Sequence, residues 1–287
     1  MKIGVLILAH NNPNQLKQLV DILKTDFQIF IHLDKKSCID SDIFANEPNV
    51  CVIKNHKVYW GSVNIVLATL DLIKLAFEHN CDYYILISGS DLPILKNQDI
   101  IKEIRKNPEI SYFDYHSLPR EDWPLNGGFE RLQLFWEKIE KPNVTSYSIK
   151  SLLFSLCRNI QRVFHLKRKL LPVTYYGGAQ WFNLSKEAVE YLLNYIEENP
   201  KFLKSFNYTL ISDEIFFHTL LLNSPIRHKI ENDKKRYIDW DTGPERPRIL
   251  RIEDYDKIIK SNGFFARKFD EKIDDEICKK ILQRINL

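Results

Sequence analysis

The amino-acid sequence predicts an α/β fold, with a mostly parallel central sheet flanked by helices. Three observations carry that reading. The runs at residues 2–9, 27–33, 50–53 and 83–88 are short and almost wholly apolar, as strands covered on both faces are. The segments between them place apolar residues at helical spacing. The chain has 287 residues, 44% hydrophobic and 28% charged, which suits one sizeable core and a single domain over 1–287.

Taken in order, residues 14–23 follow the first strand with Leu16, Val20 and Leu23 on one helical face. Residues 63–77 repeat the pattern with Val63, Val66, Leu67, Leu70, Ile73 and Phe77. Gly89 stops the fourth strand. The second half is more mixed. Residues 132–136 read as a strand and 147–166 as a long helix. Residues 180–184 read as a strand entering a helix that Ser185 caps. Ser212 precedes another helix, with Asp213 and Glu214 in its first turn, where the helix dipole favours carboxylates. Residues 254–260 and 274–285 are the last helices, and 241–248, rich in Pro, Gly and charge, is a loop.

Composition excludes several functions. None of the nine glycines forms G-x-G, so neither a dinucleotide fingerprint nor a P-loop is present. Net charge is +3, too little to argue for nucleic acid. Its distribution is uneven: residues 141–186 hold eight Lys and Arg and no acid, which leaves −5 for the remainder. That asymmetry suggests an anionic partner on one face. The five cysteines form no C-x-x-C pair, and free thiols in a reducing compartment fit them best. The opening apolar run is too short for a signal peptide, and no window reaches transmembrane length, so a cytoplasmic location is expected.

In open α/β sheets, ligands gather beyond the carboxyl ends of the strands. Four residue groups fall there: His10-Asn11-Asn12-Pro13; His32 with Asp34, Lys35 and Lys36; Trp60-Gly61-Ser62; and Ser88-Gly89-Ser90-Asp91. Each alone reads as a cap or turn. Their convergence on one rim reads as a ligand site.

These strings, with their neighbours, carry a resemblance. Leu6 to Pro13, Ile31 to Ser37, Tyr59-Trp60-Gly61-Ser62, Leu86 to Pro93, Gly177-Gly178-Ala179-Gln180-Trp181-Phe182, Ser212 to Phe217 and Phe265 to Asp270 run in the order seen in the core-2/I-branching glycosyltransferases. That family includes β-1,6-N-acetylglucosaminyltransferases and peptide O-xylosyltransferases. The chain resembles a bacterial-type member, without the anchor, stem and disulfides of the animal enzymes. The resemblance implies a GT-A-like nucleotide-sugar fold, with 1–115 binding the nucleotide-sugar and 116–287 the acceptor. It implies inverting transfer from a UDP-sugar and no metal or other cofactor.

Inversion needs a carboxylate to take the acceptor proton, and Glu214 matches the family base; Asp213 is the neighbour that could instead serve only the helix dipole. The departing diphosphate needs positive charge. The resemblance assigns this to Lys268 and to an Arg, either Arg248 or Arg246. Three D-x-D triplets, Asp40/Asp42, Asp239/Asp241 and Asp254/Asp256, follow no central strand. The resemblance places the nucleotide-sugar on His10, Asn11, His32, Asp34, Trp60, Gly61, Ser62, Ser90 and Asp91. Trp240 resembles the family aromatic on which an acceptor sugar stacks, and Arg131 and Glu130 are expected to help bind acceptor hydroxyls.

N-acetylglucosamine is the first expected donor sugar and UDP-xylose its rival. A catalytically silent sugar- or nucleotide-binding protein is the reading from another class; it has no need of both Glu214 and Lys268. A metal-dependent polysaccharide synthase would lose activity to a chelator. The acceptor is a saccharide or lipid-linked glycan. Residues 151–171 form a basic amphipathic stretch expected either to lie on anionic membrane or to pack on its own domain.

Overall fold

The computed structural model of the protein describes residues 1–136 and 149–286. Strands β1 (Ile3–Ala9), β2 (Gln28–Leu33), β3 (Val50–Ile53) and β4 (Tyr83–Ser88) pair in parallel in the order β3-β2-β1-β4. In the register, Leu8 faces His32 and Ser88, so the carboxyl ends of β1, β2 and β4 share one rim. Helices α1 (Pro13–Leu23) and α2 (Asn64–Glu78) cover the sheet between strands. Pro13 opens α1, where its missing N–H costs nothing.

A two-residue strand β5 (Leu92–Pro93) follows, then helix α3 (Asn97–Lys106). Short strands complete three sheets: β6 (Ser111–Tyr112), β7 (His116–Ser117), β8 (Tyr176–Gly177), β9 (Asn183–Ser185), β10 (Ile230–Glu231), β11 (Arg236–Ile238) and β12 (Phe265–Arg267). The main sheet runs β10-β6-β9-β4-β1-β2-β3, with β9 antiparallel to both its neighbours. A second sheet is β11-β12-β5, and β7 pairs with β8. The result is the mostly parallel, helix-flanked sheet that the sequence predicts.

Alternation along the strands divides the core. Val5, Ile7, Ile29, Ile31, Ile85 and Ile87 face α1, α3 and residues 250–281. Leu6, Phe30, Tyr84 and Leu86 face α2 and the helices Lys186–Glu198 and Phe216–Leu222. Burial on both faces is why these strands read as continuous apolar runs. Ser185 caps its helix by accepting from Ala188 N at 3.3 Å.

Two local expectations are corrected. Residues 132–136 are no strand: Phe129–Gln133 is a single helical segment, entered through Gly128 at φ 90° and closed by Leu134 N donating to Glu130 O. The alternate Leu132 and Leu134 are both buried, which mimics a strand's period. Asp213 and Glu214 belong to a separate 3-10 turn, Ser212–Glu214, and the α-helix begins only at Phe216. The helix expected over 147–166 spans Ile149–Val163; residues 147 and 148 lie outside the described residues, as does Lys141. Among the described residues no helix is long and apolar enough to cross a membrane.

Candidate active site

At the strand rim, the turn after β2 meets the end of β1. Asp34 N donates to Ala9 O at 2.9 Å, and the buried Asp34 carboxylate accepts from Lys36 N at 2.8 Å. Lys36 Nζ lies 3.1 Å from the same carboxylate and donates to Val58 O, which pins the loop before Trp60. His10 reaches solvent beside them. Burial lowers its pKa, Asp34 opposes the shift, and the charges of Lys268 and Lys36 add to it. Lys268 therefore stands at the same rim. Phe269 N donates to Ser90 O at 2.8 Å and fixes the chain next to it. Among the described residues Lys268 Nζ has no carboxylate partner.

Two other rim residues are enclosed. His32 is buried, and its Nε2 accepts from His56 N at 3.2 Å; burial, then His56, hold its pKa at about 4. Asp91 has no exposed side chain and lies between Arg236 (3.5 Å) and Arg267 (3.4 Å), with Ser88 Oγ donating to it at 2.5 Å. Its carboxylate neutralises buried arginines. Asn11 is exposed and Trp60 is 76% exposed.

Trp60-Gly61-Ser62 connects this rim to Glu214. Gly61, at φ 75°, accepts at its carbonyl from Ile211 N at 2.9 Å. Ile211 itself has φ 51°, a genuine outlier for a β-branched residue, and such strain gathers at functional sites. The next three residues are the Ser212–Glu214 turn. Arg131 Nη1 donates to Glu214 Oε2 at 2.8 Å, and Trp123 lies 4.2 Å from the guanidinium across its ring. Burial raises the pKa of Glu214, while Arg131 pulls it back down; burial and then Glu214 raise Asp213. Three buried polar atoms nearby, Ser62 Oγ, Ser212 Oγ and Asp213 Oδ1, have no hydrogen-bond partner, which suits a site kept for a ligand. A carboxylate held by a buried arginine and a rim bearing an unpaired ammonium are thus joined by one line of contacts.

The family model for Core-2/I-Branching enzyme matches residues 6–259. The chain belongs to that family. Its relatives include Xylosyltransferase 2 of Rattus norvegicus, 23% identical over 310 residues that take in 97% of this chain and 33% of the rat protein. Beta-glucuronosyltransferase GlcAT14A of Arabidopsis thaliana is 26% identical over 298 residues, 95% of this chain and 63% of the plant protein. The chain thus spans between a third and under two thirds of these relatives. Among solved structures, a putative glucose-1-phosphate thymidylyltransferase from Bacillus anthracis is 12% identical, with a TM-score of 0.33 over 68% of this chain and 75% of that one.

The remaining residues that the family resemblance singles out take varied places. Arg248 is engaged: its Nε donates to Asp254 at 2.9 Å and its Nη2 to Glu253 at 2.7 Å. Arg246, in the same loop, is exposed. Trp240 is 42% exposed at the start of this loop. Glu130 accepts from Arg162 at 2.9 and 3.1 Å, so its carboxylate anchors another helix. The D-x-D acids serve locally: Asp40 accepts from Asp42 N, Asp239 from Asp241 N and Thr242, and Asp254 from Arg248 and Arg251 N.

Sequence reasoning missed Trp123 and Asp114. A Cβ on Gly177 would lie 2.9 Å from the Trp123 ring, and one on Gly178 2.0 Å from Asp114 O. The glycine pair thus admits both residues to the floor beside Glu214, whose carbonyl accepts from Gly178 N at 3.0 Å. The adjacent glycines were the only signal of this close approach.

Proposed function

We propose that the protein is an inverting, metal-independent glycosyltransferase that moves a sugar, N-acetylglucosamine, from a UDP-sugar to a saccharide hydroxyl. The observation that carries this is the pairing of Glu214 with buried Arg131, on a strained turn tied through Gly61 to the rim where Lys268 stands. The acceptor oxygen attacks the anomeric carbon while its proton passes to the Glu214 carboxylate. The bond from that carbon to the diphosphate breaks, and the electron pair leaves on UDP. Lys268 stabilises the charge that develops there, with Arg246 or Arg248 as the second cation. A unit charge at 4 Å is worth about 4 kcal/mol at an effective dielectric near 20, so two cations are comparable to one hydrated divalent ion.

His10, Asn11 and Asp34 would line the donor, and the exposed Trp60 and Trp240 offer flat apolar faces that suit sugar rings. The names of the relatives, xylosyl- and glucuronosyltransferases, make UDP-xylose and UDP-glucuronate the competing donors. A thermal-shift series over the three UDP-sugars tests the reading, since a bound donor raises apparent stability by mass action. UDP release in excess EDTA then tests turnover. A protein that no UDP-sugar stabilises overturns it. So does activity that disappears with EDTA and returns with Mn²⁺.

A further inference from the structure

A helix on a protein surface normally turns its apolar side inward and its charges to water. The helix Ile149–Val163 does the reverse. Its inward contacts are polar: Arg158 lies over the Trp136 ring at 5.0 Å, Gln161 Oε1 accepts from Phe135 N at 2.8 Å, and Arg162 is bonded to Glu130. Its apolar residues Leu153, Leu156, Ile160 and Val163 fall on the opposite side, continued by Phe164 and Leu166, and all six are exposed, Val163 to 71% and Phe164 to 68%. Packing on the described residues of its own domain therefore does not account for this apolar stripe.

We propose that this stripe is a docking surface for an anionic lipid bilayer. Charge selects the occupant. From 141 to 186 the chain carries no Asp or Glu. Lys167 and Lys169 sit exposed beside Phe164 and Leu166, and among the described residues neither has an ion-pair partner. Apolar side chains enter the acyl boundary while the lysines meet anionic head groups near the surface. The helix is also fixed to the acceptor side. Glu130, which holds Arg162, precedes Arg131, which holds Glu214. On the glycosyltransferase reading, an acceptor carried on a lipid would therefore reach the base from the docked face.

Flotation of the full chain with vesicles tests this without any turnover. Co-flotation is expected with phosphatidylcholine containing phosphatidylserine at low salt. It should fall roughly thirtyfold with phosphatidylcholine alone, and likewise in high salt, as loss of two lysine contacts of about fivefold each would imply. Lys167→Glu with Lys169→Glu should abolish it, and Val163→Ser with Phe164→Ser should do the same while the far-ultraviolet circular dichroism stays unchanged. No flotation at low salt overturns the proposal. A concentration-dependent dimer that Val163→Ser with Phe164→Ser dissolves also overturns it, because a second copy then covers the stripe. UDP release without vesicles reports on the sugar-transfer reading separately.

Discussion

Glu214 has two opposing demands on it. As the proposed base it must be ionised to accept a proton, yet burial favours its neutral form, and the Arg131 guanidinium opposes burial. Arg131→Gln removes the opposing charge, so the pKa of Glu214 rises and the acidic limb of kcat/KM moves to higher pH; Arg131→Lys should restore part of the profile. An unshifted limb would separate Arg131 from the base. Glu214→Gln keeps the size of the side chain but cannot take the proton, so transfer should fall by roughly 10²–10⁴-fold with UDP affinity unchanged, as titration calorimetry would show. Lys268→Ala should lose most transfer, Mn²⁺ should not restore it, and Lys268→Arg should recover only part, because a planar fork does not replace a point charge. The Arg131–Glu214 pair spans 83 positions of sequence. A motif can mark Glu214, but no local pattern shows which distant arginine will hold it.

At the level of elements, the tightest of the glycine positions is Gly178. A methyl group at 178 would lie 2.0 Å from the Asp114 carbonyl, a backbone atom that cannot swing aside. Gly178→Ala should therefore destabilise the fold by about 3 kcal/mol, the upper range for overpacking, and distort the turn carrying Glu214. Ser185→Ala removes a cap and should cost about 1 kcal/mol, a fall of roughly 2–4 °C in Tm. Calorimetric scans of both variants check these values. Strands β1, β2 and β4 were legible to within a residue because burial on both faces writes an unbroken apolar run, and the half-buried β3 because all four of its residues are apolar. The two-residue strands carry no period to read: β5 exists because β12 lies against it. Residues 132–136 misled because Leu132 and Leu134 are buried for separate reasons. Histidines at the rim were read as ligands by position alone, and only burial distinguishes the enclosed His32 from the open His10.

Across the whole molecule, acid should be more damaging than its small net charge suggests. Burial depresses His32, His116 and His218 to about 4. Their ordinary value is 6.5, so between these limits these three histidines bind more protons in the unfolded chain than in the folded one, while Asp213, raised to about 7, acts in the opposite sense and offsets part of the effect. The contribution of the histidines is then complete above about pH 6.5 and is lost as pH falls toward 4. The slope is at most about 1.4 kcal/mol per pH unit for each histidine. Urea unfolding from pH 7 to pH 4.5 should show the decline, and a flat profile would refute it. The core has a further property of scale, because residues 250–281 pack into the same cluster as the first 112 residues. Strand β12 is seated between β11 and β5, and Lys268 follows it directly. During synthesis, the ribosome makes β5 long before its partner, so that strand waits as an open edge. Glu214 and Arg131 also emerge well before Lys268, so on the proposed reaction a half-made chain carries the base without the cation that would draw the UDP away.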